Sequence, residues 1–201
     1  MENNKEFELD FGDVKNQFRI QMEISLALNQ RKIYLNEDVT ENSIFKIMYL
    51  LNKIVDTDKK EETKEPIEIC VNTNGGTVHD MFTLVSYIEQ LKENGYKIIT
   101  TNIGRAFSAG FVISICGTER RAYRYARYMF HGVAGGAFGK LPDMITDVEE
   151  SKILEDMMLG VVNKYTDISQ PVLENYVKCK VDKYYSADEL KELKGVDIIL
   201  W

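Results

Sequence analysis

A serine attacks an amide only when a base takes its proton and an acid fixes that base's tautomer, so a serine, a histidine and a carboxylate held at chain turns are the residues to find. Ser108 stands in Gly104-Arg105-Ala106-Phe107-Ser108-Ala109-Gly110, with a strand pattern leading in and an apolar helical pattern leading out. A serine at such a turn exposes its hydroxyl while the backbone N–H groups that follow it face a developing oxyanion. The segment is not G-x-S-x-G, and a serine there ordinarily caps the helix. His131 follows the apolar run Tyr128-Met129-Phe130, where a strand should end. Strand ends gather catalytic groups, although a lone histidine is commonly a packed rim residue. The other histidine, His79, sits beside Asp80 in a helix's first turn and reads as surface or packing. Asp182 lies shortly before a helix start, where a solvated acid is the plain alternative. Gly75 and Gly76 close a strand, and glycine there lets backbone approach a ligand closely, or simply makes a tight turn. Spacing leaves open whether the three groups meet, because triads occur in several chain orders.

The elements that must position these groups follow from periodicity. Lys32–Leu35 and Ile67–Val71 read as strands, and Ile44, Ile47, Met48, Leu51 and Ile54 give a helix opened at Thr40. Asp56–Glu65 is a charged run ended by Pro66 and reads as a solvated loop. Val78, Met81, Phe82, Val85, Ile88 and Leu91 predict a helix after the Asn72–Gly76 turn. Lys97–Thr101 is a strand, Phe111–Ile115 starts a second helix, and Arg121–Phe130 supplies one further strand. Strand, turn and helix repeating in this order predict right-handed crossovers in a mostly parallel sheet, an α/β architecture. The stretch His131–Gly139 is too rich in glycine for an ordinary strand. Leu141–Tyr165 is a helix long enough to project from the core, Ser169–Cys179 a shorter one, and Ser186 with Glu189 has capping-box spacing. Residues 1–20 alternate charge and aromatics without a strong helical period and read as an arm, mobile or ordered by a partner, leaving 21–201 as one domain.

With 201 residues, 44% hydrophobic and 28% charged, the chain can bury one sizeable core and is not wholesale disordered. Its net charge of −7 favours no phosphate-backbone partner. Cys70, Cys116 and Cys179 are odd in number and far apart, which argues against a disulfide framework or zinc site and for a reducing compartment. No apolar run approaches a membrane span and no leader pattern opens the sequence, so a cytoplasmic protein without membrane attachment is expected. No G-x-x-x-x-G-K-[ST] loop is present.

Over about residues 24–200 the sequence resembles the proteolytic subunits of the Clp protease, within the ClpP/crotonase fold. Asn72-Thr73-Asn74-Gly75-Gly76-Thr77 matches the family's N-S-P-G-G-S, Phe107-Ser108-Ala109-Gly110 its A-S-M-G, and Met129-Phe130-His131-Gly132-Val133-Ala134-Gly135-Gly136 its M-I-H-Q-P-x-G-G. The family's aspartate, four residues before a Ser-Ala that opens the last helix, falls on Asp182. The resemblance implies repeated β-α-β units with a protruding handle strand and long handle helix. It implies Ser108 as nucleophile, His131 as base and then acid, Asp182 as orienting carboxylate, and the amides of Gly76 and Ala109 as oxyanion hole. Extended substrate would pair between Thr77 and Val78 on one side and Val133, Ala134 and Gly135 on the other.

As partners it implies unfolded polypeptide and further copies of the chain, in heptameric rings stacked as a tetradecamer through the Leu141–Tyr165 helix, with an AAA+ Clp-type unfoldase at the axial entrance. No metal or cofactor is called for, since ATP would be used by that unfoldase.

The sequence departs from the pattern at Ala109 for the methionine, Gly132 for a glutamine, Val133 for a proline, and Val181 for the arginine before the aspartate. Arg105 and Phe107 stand where small or polar residues are common. These departures keep two other readings in view, a weakly active or regulatory ring subunit and a viral-type maturation protease acting without an unfoldase. An acyl-CoA enzyme of the crotonase type ranks last, since it needs no Ser, His and Asp in this order.

Overall fold

The computed structural model describes residues 11–136 and 138–201. Helices and strands alternate: α1 (Phe11–Gln30), β1 (Lys32–Leu35), α2 (Glu41–Glu61), β2 (Ile67–Thr73), α3 (Val78–Glu93), β3 (Ile98–Phe107), α4 (Ala109–Ile115), β4 (Glu119–Tyr123), β5 (Arg127–Phe130), α5 (Leu141–Tyr165), α6 (Gln170–Lys178), β6 (Lys183–Ser186), α7 (Ala187–Glu192) and β7 (Ile198–Leu200). Strands β1-β2-β3-β4-β7 form a parallel sheet in that order. The α/β class expected from the alternation is the one observed.

The sheet forks at β3. Its first half, Ile99–Asn102, pairs with β4, and its second half, Arg105–Phe107, pairs in parallel with β5. β6 then runs antiparallel to β5. Across the fork β2 and β3 lose simple register, since Val71 faces Asn102 but Thr73 faces Ala106. Two asparagines hold the irregular backbone. The buried Asn102 amide donates to Arg127 O at 3.0 Å and its oxygen accepts from Gly104 N, while Asn72 Oδ1 accepts from Arg105 N at 3.2 Å. Backbone groups freed by a bulge need such partners. Arg121–Phe130 is therefore two strands, not one, divided by a turn at Arg124–Ala126.

The helical periods are read out as burial. Ile44, Ile47, Leu51 and Ile54 of α2 and Met81, Val85, Ile88 and Leu91 of α3 lie in the core. The box expected at Ser186 and Glu189 opens α7, and a second, Thr40 with Ser43, opens α2. On α5 every residue from Leu141 to Ile153 is exposed, and only Met158, Leu159 and Val162 are buried. A helix of 25 residues is about 37 Å long at the α-helical rise, and its first half leaves the core.

Two further expectations are corrected. Residues 11–20, read as part of an arm without helical period, belong to α1, and among its residues 17–30 the one buried side chain is Ala27. Over that stretch the helix touches the core with little of its surface and shows no apolar stripe. Residues 1–10 lie outside the described residues. The charged run is not all loop either, because Asp56–Glu61 continues α2. Asp58, 1% exposed, takes a two-pronged pair from Arg31 at 2.7 Å and a bond from Thr63 Oγ1, and Arg31 also donates to the carbonyls of Glu65 and Pro66. This knot ties the start of β1 to the loop before β2. Removing one member of a buried pair strands the other, and Asp58→Ala is expected to cost about 3 kcal/mol, measured by urea unfolding.

Candidate active site

Ser108 joins β3 to α4 with φ +54° and ψ −121°, backbone that few side chains adopt. Its N–H donates to Met129 O at 2.8 Å, extending the β3–β5 ladder by one residue. Its hydroxyl makes no cap bond to α4, so the ordinary capping role is not the one taken. Beneath it, α4 is buried throughout. Phe111 sits 6.2 Å from Tyr128, 5.6 Å from Phe130 and 6.3 Å from Tyr185, ring centre to ring centre, which fixes α4 against β5 and β6. Nearer the surface Phe107 meets Tyr184 edge-on at 5.8 Å.

Gly75 lies against this turn. A Cβ on it would stand 2.6 Å from Ser108 Cβ and 2.7 Å from Phe107 O, and its φ is +105°, so both space and backbone require glycine. Gly75 N–H donates to Thr73 Oγ1 and Gly75 O accepts from Val39 N, while Thr77 N donates to Val39 O. The Gly76 and Ala109 N–H groups have no acceptor among the described residues.

The other two groups stand at the ends of β5 and β6, His131 following the one and Asp182 preceding the other. Their ladder pairs Arg127 with Ser186, Tyr128 with Tyr185, Met129 with Tyr184 and Phe130 with Lys183. The ladder ends there, and one further step of its register would set His131 opposite Asp182, beyond the end of β5 that flanks Ser108. The side chains are not joined. Among the described residues no hydrogen bond links Ser108, His131 and Asp182. His131 Nδ1 instead meets Gly132 O at 2.5 Å, and Asp182 is exposed. Cys70 and Cys116 do not compete as nucleophiles, because burial pushes both thiols up to about 12.

Val133, Ala134 and Gly135 form no regular strand in the single chain. Nothing stands within 4 Å of a Cβ placed on Gly135, so glycine there accommodates no neighbour from its own chain. Thr77 N–H is committed to Val39 O, whereas the amides of Val78, Ala134 and Gly135 have no acceptor among the described residues. Val133 N donates to Glu155 Oε2 of α5 at 3.1 Å, a contact sequence reasoning did not anticipate. Its signal was the pair of departures at Gly132 and Val133.

The Clp protease family model matches residues 15–200. The chain belongs to the Clp protease family. Relatives in that family include ATP-dependent Clp protease proteolytic subunit 1 of Prochlorococcus marinus strain MIT 9312, 27% identical over 182 residues that cover 88% of this chain and 87% of the relative. Subunit 1 of Prochlorococcus marinus subsp. pastoris is 26% identical over 178 residues, covering 88% of this chain and 86% of its own. Subunit 2 of Parasynechococcus marenigrum strain WH8102 is 26% identical with the same coverage of both. The family is that of a peptidase. No helix among the described residues is long and apolar enough to cross a membrane.

Proposed function

We propose that this chain is a serine endopeptidase of the ClpP type that cleaves unfolded polypeptide through an acyl-enzyme. The observation that carries the reading is the convergence of two ladders. β3–β5 runs into Ser108, β5–β6 runs into His131 and Asp182, and two unclaimed amides flank the serine. His131 Nε2 takes the Ser108 proton as Oγ attacks the peptide carbonyl. The tetrahedral oxyanion is held by the N–H groups of Gly76 and Ala109. His131 returns the proton to the leaving amine, and water then repeats the sequence on the acyl-enzyme. Asp182 accepts His131 Nδ1–H and stabilises the imidazolium.

Substrate lies extended between Thr77 and Val78 on one side and Val133, Ala134 and Gly135 on the other, and main-chain pairing makes it tolerant of sequence. The exposed apolar residues of α5, Leu141, Ile145, Val148 and Ile153, suit burial between copies. The assembly we favour is therefore a stack of heptameric rings, a tetradecamer, enclosing the sites, cytoplasmic and served by an AAA+ unfoldase that consumes the ATP.

The contact between His131 and Gly132 favours a second reading, a ring subunit that is silent by itself. Intact-mass labelling with a fluorophosphonate, with native mass recorded on the same sample, separates the two. One adduct per chain on Ser108, lost in His131→Ala, is expected. No adduct on ring-sized protein would support the silent subunit.

A further inference from the structure

Gly132 C=O and Val133 N–H belong to one peptide plane. Its carbonyl faces His131 Nδ1 at 2.5 Å and its N–H faces Glu155 Oε2 at 3.1 Å. A carbonyl only accepts, so in this contact Nδ1 carries the proton and spends it on Gly132 O. That is the proton Asp182 would need to accept. Turning the peptide to free it breaks both bonds at once, and the Glu155 bond is the stronger kind, from a neutral donor to a charged acceptor.

The sequence is fitted to this arrangement. A proline at Val133 would have no N–H to give. A side chain at Gly132 would begin 2.8 Å from Glu155 Oε2 and 3.2 Å from both methyls of Val177. The two departures from the family pattern beside the histidine thus supply, respectively, the donor and the room for the acceptor.

We propose that Glu155 is a positioning residue that holds the Gly132–Val133 peptide turned toward His131, keeping the imidazole on its own backbone and away from Asp182 until substrate turns the peptide over. The inference rests on the triad reading above for its effect on catalysis, but the Glu155-to-His131 coupling stands on the two contacts alone.

The test uses the full chain in its purified assembled form, with Glu155→Ala and Glu155→Gln. Glutamine keeps an oxygen that can accept from Val133, whereas alanine does not. Deuterium exchange is read at the Val133 amide and at the imidazole C2 of His131, with exposed His79 as internal control. Glu155→Ala should exchange Val133 at least about tenfold faster and change the His131 rate at least about twofold, with glutamine restoring both. Fluorophosphonate labelling of Ser108 should rise about fivefold in the alanine variant, the shift expected on releasing one such bond. An unprotected Val133 amide in the wild type overturns the proposal. So does an unchanged His131 rate in Glu155→Ala, whatever the labelling does. Slower labelling in Glu155→Ala overturns the restraining role. Absence of labelling in every form, with the exchange pattern intact, would instead sink the serine peptidase reading and leave the coupling in place.

Discussion

Ser108→Ala is expected to fold and assemble like the wild type and to lose about 10⁶-fold in kcat for peptide hydrolysis. The hydroxyl makes no bond to the helix it precedes, so its loss removes no cap. Alanine bears the φ of +54° no worse than serine does, and the Ser108 atom that crowds Gly75 is the Cβ that both residues share. Chemistry is therefore the sole role that the substitution deletes. The comparison is made on a short fluorogenic peptide, with thermal unfolding and native mass recorded on the same preparations. Turnover within tenfold of wild type would remove Ser108 from the reaction, and a fallen melting temperature would reassign it to the fold.

Asp182→Asn should reduce kcat by about 10⁴-fold, with little change in stability. An amide in place of the carboxylate offers an N–H where His131 must donate one, and it cannot offset the positive charge that the imidazole acquires. Asp182 is exposed and has no ion pair among the described residues, so its charge does no structural work that the variant would disturb. The size of the effect discriminates sharply. A drop of less than tenfold would mean that Gly132 O, not Asp182, orients the working imidazole, and the contact in this structure would then be the catalytic one.

What could be read in the sequence was whatever repeats over short distances. The faces of α2 and α3, the bounds of α5 and the box at Ser186 and Glu189 are all local patterns, and each is present as read. Ser108 also stood out, as a serine at the turn where a strand pattern runs into a helical one. The second half of β3 was not readable, because Asn102–Phe107 is held by side-chain amides and by two different neighbours rather than by one alternating face. Asp58 was hidden inside a charged run, and only its meeting with Arg31, far away in the chain, makes it buried. Glu155 was invisible for the same reason, as an acid on a helix face that is otherwise solvated. The elements follow from periodicity, while the polar contacts that tune the site follow from tertiary approach.

The fork at β3 divides the labour of moving the site. His131 follows β5 and Asp182 precedes β6 on the antiparallel branch, whereas Ser108 and Gly75 belong to the trunk of the sheet. A shift of the branch along its short seam with β3, three residue pairs long, would change the reach from serine to histidine while carrying histidine and aspartate in the same direction. Whatever seats the branch would thus set that reach in a single mechanical adjustment.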